Sequence, residues 1–285
     1  MIHNTPIVSV LADSEFQGSR LTTLKLQFWR PILPELSRHR VYSLTFRSSR
    51  ATPTKVYLQE VRDNPWGPAH ITLNQRGMVG KGELTDESSR EQWYAAWKLA
   101  SLEACTFAER LSNSSLGPVA KEVVNRVLEP YVSITGIISG TEWDNFFKLR
   151  IAPDAQGEMR DLALAIKEAR DKSQPRQLQE GEWHLPYISD EERLQYDIET
   201  LRKASAARCA RVSIKAFDGS TSIEKDVELG NRLISSCHFS PLEMVAQANS
   251  KEHAKSNYDN NWLQFRKMVE WWQWSQFTKA LPHGP

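Results

Sequence analysis

Residues 37–50 of this sequence, SRHRVYSLTFRSSR, hold four arginines, a histidine, four serines and a threonine, with no carboxylate to balance them. Arg38, His39 and Arg40 come first; Ser48 follows after seven residues, with Ser49 and Arg50 behind it. Written as RHR-x7-S-x-R, the run sets guanidinium forks beside hydroxyls, the groups that hold a phosphate in bidentate fashion. A nucleotide phosphate and a cofactor diphosphate both suit it. An RHR triplet alone reads more often as a solvated basic patch. The hydroxyls and the second arginine are what raise it above that.

Two further clusters carry chemistry-bearing groups. The stretch NFFKLRIAPDAQ, residues 145–156, centres on Arg150, which taken alone reads as an arginine capping carbonyls between two helices. ARVS (210–213) is followed by HFSPLE (238–243), where His238 stands after a helical pattern. A lone histidine in that position is more often structural than functional.

The elements that must position these groups belong to an ordinary globular chain. Its 285 residues suffice for one large domain or two small ones with a substantial core. Charged residues make up 25% and hydrophobic ones 40%, and the net charge is only +1, so the 38–50 cluster is not part of a generally basic surface. That argues against a sequence-independent nucleic-acid binder. Cys105, Cys209 and Cys237 show no paired spacing, so neither a disulfide framework nor a metal site is expected. The N-terminal MIHNTPIVSV lacks the features of a signal peptide, and no apolar run approaches the ~20 residues that span a bilayer. A soluble, cytoplasmic protein is expected.

Residues 5–11 and 20–28 have the patterning of strands joined by a turn at Gly18. Residues 64–83, rich in Gly and Pro, predict an ordered loop. Ser88-x-x-Glu91 predicts a capped helix with Trp93, Trp97, Ala100, Ala104, Phe107, Ala108 and Leu111 on its buried face. Pro118 suits the first turn of the next helix, with Val119, Val123 and Val127 inward. A β-branched and glycine run, YVSITGIISG, precedes a capped helical start at Thr141. Another helix is predicted from near Pro153, burying Ala155, Met159, Leu162, Ile166 and Ala169. After a linker (173–188), Ser189-x-x-Glu192 and Thr221-x-x-Glu224 read as capping boxes. Trp262, Phe265, Val269 and Trp272 form a C-terminal helical stripe, read as a docking or subunit-contact face. The sum is an α+β protein with few strands and many helices.

Taken together, RHR-x7-S, the N-F-x-x-L-R-x-x-x-x-A-Q element, ARVS and H-x-S-P-x-E resemble the flavin-dependent thymidylate synthases, and the resemblance touches most of the chain. It implies a mixed or antiparallel sheet with several helices, in a single domain over 1–285. Within it, 1–62 would supply strands and the RHR motif, and 86–171 a helical part with the Leu-Arg element. Residues 189–244 would carry ARVS and HxSPxE, and 258–281 a C-terminal helix. The landmarks run in rotated order, RHR first and ARVS late, which looks like a circular permutation similar to long versions in bacteriophage genomes. Permutation is tolerated where the original termini lie close together.

The resemblance implies methylation of dUMP at C5 to dTMP, with methylenetetrahydrofolate as carbon donor, FAD as the redox cofactor and NADPH as its reductant. Carried over position by position, Arg150 would act on the uracil edge as the catalytic group. Ser48, Ser49 and Arg50 would hold the nucleotide phosphate, with Glu35 and Arg38 nearby. Arg38, His39, Arg40, Ser139, Gly140, Thr141 and Asn145 would contact FAD. Ser213, His238 and Ser240 would stand near the flavin and the folate entrance, and the sites would lie at interfaces of a homotetramer. Three positions depart from the family pattern: Thr45-Phe46 replaces Asn-Glu, Met244 replaces a histidine, and Asn125 stands where a nucleotide-holding arginine is expected, beside Arg126. Rival readings are a 5-hydroxymethyl product, dCMP as substrate, and a non-catalytic nucleic-acid-binding relative.

Overall fold

The computed structural model describes residues 4–77, 81–115, 117, 119–213, 218–251 and 256–280; at 213 and 276–280 it describes backbone only. Five strands, β1 (Ile7–Phe16), β2 (Ser19–Trp29), β3 (Ser43–Phe46), β4 (Ser133–Gly140) and β5 (Arg176–Gln177), form one sheet in the order β3-β4-β2-β1-β5. All pairings are antiparallel except β1 with β5. Gln17 and Gly18 close the β1–β2 hairpin with positive φ values of 49° and 78°, which match the twist of the strands they join.

The alternation of β2 and β4 decides what lies on each face. Leu24, Leu26 and Phe28 of β2 and Ile134 and Ile138 of β4 share one buried face. Against it pack Trp143 and Phe146, at the start of helix α5 (Asp144–Arg150), and Met159, Leu162 and Ile166 of α6 (Gly157–Lys172). Full burial of each such side chain contributes about 1.5–3 kcal/mol. On the opposite face, Ile137 meets Cys209, Val212 and Met244, from helix α8 (Ile198–Ala210) and the turns that follow in sequence. The same face buries Thr23 and Ser139, whose hydroxyls are 2.6 Å apart. His184 joins them, 2.8 Å from the Thr23 hydroxyl and 2.9 Å from that of Ser14. Complete burial pushes its imidazole down to about 3, so it sits there neutral.

A second, three-stranded sheet pairs β6 (Trp183–His184), β7 (Ala246–Ala248) and β8 (Trp262–Gln264). Around it lie α7 (Asp190–Gln195), α8, α9 (Ile223–Ser235) and α10 (Phe265–Ala280). A separate apolar layer joins α2 (Thr54–Asp63), α3 (Glu87–Ser112) and α4 (Lys121–Leu128) through Tyr57, Cys105, Ala108, Val124 and Leu128. Helix α1 (Leu33–Leu36) is a single turn between β2 and the RHR run.

Several sequence expectations shift. Helix α3 is capped by Asp86, which accepts from the Ser89 amide, rather than by Ser88. Its buried face is Ser101, Ala104, Cys105 and Ala108; Phe107 is 57% exposed. Val123 is 54% exposed, because α4 starts at Lys121 and turns Val124, Asn125 and Leu128 inward instead; Pro118 lies outside the described residues. Helix α6 starts at Gly157, capped by Gln156, so Ala155 precedes it. No side-chain cap opens α5 or α9, whereas the Ser189–Glu192 capping box of α7 has both of its bonds. Trp262 belongs to β8, buried, and Trp272 on α10 is 55% exposed.

Candidate active site

The RHR run reaches its place through α1 and a tight turn: the His39 amide donates to Leu36 O and the Tyr42 amide to His39 O. Tyr42 then packs against Trp143 at 4.5 Å between centroids, the rings tilted by 36°, and over Gly140, where a Cβ would come within 2.4 Å of the tyrosine ring. The His39 ring meets the edge of Phe146 at 5.0 Å. Phe146 and Arg150 are four residues apart on α5 and therefore share a face. The same imidazole thus contacts both.

Arg150 is clamped by three acceptors. Its Nε donates to His39 Nε2 at 2.8 Å, its Nη1 to the Glu35 carboxylate at 3.2 Å, and its Nη2 to the Glu35 carbonyl at 3.3 Å. Because Nε donates, His39 Nε2 must accept, which makes the ring neutral with its proton on Nδ1. Burial and the Arg150 charge both hold the His39 pKa below its ordinary value, consistent with that form. The result is a half-buried guanidinium with fixed orientation.

His39 also lines a cavity of about 480 Å³ whose wall includes Thr141, Trp143, Asn145 and Phe146. Its far end is built by Gly18, Ser19 and Arg20 of the hairpin tip, Arg170 at the end of α6, and Asp259. Arg20 is held by Asp13 through two nitrogens, at 3.0 and 2.6 Å, and by the carbonyls of Arg170 and Ser173. Arg170 Nε is buried with no hydrogen-bond partner among the described residues. Sequence reasoning missed Arg20, Arg170 and Asp259 as cavity walls. Only the Asp13/Arg20 pairing across a Gly18 turn could have signalled one of them.

The expected phosphate group forms a second, distinct cluster at the end of β3. Ser48 O accepts from the amides of Ala51 and Thr52, Ser48 Oγ from the Arg50 amide, and Arg50 reaches Glu122 at 3.3 Å. Ser49 is buried, and so is Asn125, which donates to the carbonyls of Ser49 and Thr52. Arg38 and Arg40 are exposed, and neither guanidinium has a partner among the described residues. Ser139 faces the buried His184 network, Gly140 lies under Tyr42, and Thr141 takes the Asp259 amide at 3.2 Å.

The remaining landmarks are further off. Arg211 of ARVS pairs with the buried Asp226, which also takes Arg208; Arg208 in turn reaches the capping Glu192. The Ser213 side chain lies outside the described residues. His238 is exposed and bonded to Ser236 at 2.9 Å, and Ser240 opens a short turn nearby; neither lines the cavity. Glu243 pairs with Arg266. Thr45-Phe46 has a packing role: the Phe46 ring lies over Gly136, where a Cβ would clash at 1.9 Å, and meets Phe28 edge-on. Met244 is buried beside Ile137, Cys209 and Val212. Among the described residues, no group of three or more His, Cys, Asp or Glu could hold a metal ion, and no helix is long and apolar enough to cross a membrane.

The fold is α+β and fixes one guanidinium beside an aromatic-walled cavity, with a serine- and arginine-bearing turn following β3 of the same sheet. The family of thymidylate synthase complementing proteins (Thy1) matches residues 15–176, more than half of the chain. The chain belongs to this family and is a flavin-dependent thymidylate synthase-like enzyme. Solved structures with similarity include a UMP/dUMP methylase, PolB, from Streptomyces cacaoi bound with 5-Br UMP. It is 17% identical over 60% of this chain and 91% of that one, with a TM-score of 0.47. Thymidylate synthase X from Helicobacter pylori with FAD and dUMP is 23% identical over 53% of this chain and 67% of that one, with a TM-score of 0.35. No curated protein matched this chain.

Proposed function

We propose that the chain transfers a one-carbon unit from methylenetetrahydrofolate to C5 of dUMP, giving dTMP, with FAD as redox cofactor and NADPH as reductant. The observation that carries this reading is the clamp on Arg150 beside the cavity lined by His39, Thr141 and Asn145. Negative charge builds on the pyrimidine ring when C5 acts as a nucleophile, and a guanidinium already oriented stabilises it without reorganising. Glu35 and His39 supply that orientation. The C5 proton leaves to solvent as the new carbon–carbon bond replaces it.

FAD, when bound, supplies the hydride chemistry that no side chain here can perform. The residues suit such a group. The cavity has aromatic walls at Trp143 and Phe146, Arg170 carries an orphaned buried Nε there, and the open guanidiniums of Arg38 and Arg40 match a diphosphate. Ser48, Ser49 and Arg50 would take the nucleotide phosphate. His238, Ser240 and Ser213 would stand near the flavin and the folate entrance. Exposure of Arg38, Arg40 and His238 in one chain, and of Trp271, Trp272 and Trp274 on α10, supports completion of the site in a homotetramer. A circularly permuted order is supported by a family match that ends at 176 while later segments pack on Ile137 of the same sheet.

The test is mass spectrometry of the nucleotide after incubation with dUMP, methylenetetrahydrofolate, FAD and NADPH, with dCMP as competitor. A gain of one methyl group on dUMP is expected, from a protein that purifies yellow or turns yellow with FAD. A hydroxymethyl product would replace the dTMP reading, and unchanged dUMP with a colourless protein would contradict it.

A further inference from the structure

We infer that Asn125 is the positioning residue of the phosphate-binding turn. It ties turn 48–52 down from beneath and so sets affinity for the nucleotide phosphate without touching it. This rests on the reading above, in which Ser48, Ser49 and Arg50 hold that phosphate.

Asn125 is fully buried on the inner face of α4. Its one amide nitrogen donates both hydrogens, to Ser49 O at 2.8 Å and to Thr52 O at 3.0 Å. These carbonyls bracket Arg50, so a single side chain fixes both ends of the segment that must present the arginine. Asn125 Oδ1 is left buried with no partner among the described residues. Unsatisfied buried acceptors are uncommon, and this one is explained by the two donors its amide delivers to the turn.

Other contacts close the turn in the same sense. Thr52 Oγ1 donates to Ser48 O at 3.1 Å and accepts from Arg47 Nε at 2.9 Å. Arg47 lies over the buried Tyr57 ring, and Lys121 Nζ reaches Ala51 O at 3.3 Å from the first turn of α4. The carbonyls of Ser48, Ser49, Ala51 and Thr52 are all engaged by protein donors. A carbonyl freed to face a phosphate would repel it. The turn keeps its negative ends occupied and presents the Ser48 hydroxyl, Lys121 and Arg50 to an anion, which would compete with the exposed Glu122 carboxylate for the Arg50 guanidinium. Asn125 is too short to reach past the two carbonyls it holds, so its influence on the phosphate is indirect.

The discriminating readout is preference for a phosphate-bearing ligand over its phosphate-free counterpart, which a general loss of stability would not change. Binding of dUMP and of deoxyuridine to the FAD-loaded protein is measured by calorimetry, alongside KM and kcat. For Asn125→Ala we expect the dUMP dissociation constant and KM to rise about tenfold or more, the scale of losing hydrogen bonds that order a charged site. The deoxyuridine constant, flavin content and kcat should change by less than about threefold. If Asn125→Ala does not fold, Asn125→Ser, which keeps one donor, should show the same selective loss at smaller size. A variant that retains the wild-type preference for dUMP, or loses both ligands equally, overturns the role of Asn125. Wild-type protein that binds dUMP no better than deoxyuridine sinks the phosphate-site reading itself, a separate result.

Discussion

His39 and His70 pack against the two helices that follow β4, α5 and α6, and their partners make them opposites. His39 packs on α5, where Arg150 Nε donates to it; His70 packs on the first turn of α6, its ring against Gly157. There His70 Nδ1 meets Glu83 at 2.7 Å and Nε2 meets Asp161 at 2.8 Å, while its amide donates to the buried Glu158 carboxylate. Burial disfavours the charged ring in both. At His39 the neighbouring guanidinium adds to burial and the pKa falls; at His70 the hydrogen bonds to Asp161 and Glu83 outweigh burial and it rises. One ring is an acceptor that aims a cation. The other is a clasp whose two ring nitrogens both face carboxylates, tying His70 and Glu83 to α6. The charge of the partner, more than the depth of burial, sets what each histidine does.

The comparison is most easily broken at His39. Replacement by Ala should leave Arg150 without an acceptor for Nε and lower kcat about tenfold or more, while His39→Gln, which can still accept, should recover part of it. In the wild type, protonation of His39 removes the same acceptor. Activity should therefore hold above the ordinary histidine value and fall on an acid limb below it, because the folded pKa is depressed. Steady-state rates across pH for both variants check this. An unchanged acid limb in His39→Gln would assign that limb to another group.

A smaller effect is expected at His70. Its raised pKa means its stabilisation is fully present below the unfolded value of about 6.5 and is lost as pH rises through the folded pKa. The site is only partly buried, so His70→Ala should cost about 1 kcal/mol at acid pH and less at alkaline pH. Urea unfolding at two pH values measures it; a cost that grew with pH would show that the neutral ring, not the cation, holds the loop.

What the sequence revealed follows how local each signal is. The β1–β2 hairpin was legible because Gly18 falls between two alternating runs, and the Ser189–Glu192 box because both partners lie within one turn. The face of α3 is not legible because its mixed pattern offers Phe107 and Leu111 as readily as Ser101 and Cys105, and only packing against α2 and α4 selects the latter. The spacing of Trp262 to Phe265 fits a helix, yet its pairing with Ala248 places it in a strand. At the site, the residue types around His39 and Arg150 were visible as motifs. Their contact was not, since no pattern joins positions so far apart. The cavity walls at Arg20, Arg170 and Asp259 come from three distant segments for the same reason.

The most direct test of the central claim is release of tritium from [5-³H]dUMP by wild-type protein and by Arg150→Ala, with flavin content measured on both. The account predicts flavin- and folate-dependent release by the wild type, and a loss of about 10²–10³-fold in Arg150→Ala with FAD still bound. Tritium retained on the nucleotide by active-looking, flavin-loaded wild type, or equal release by the variant, would contradict it.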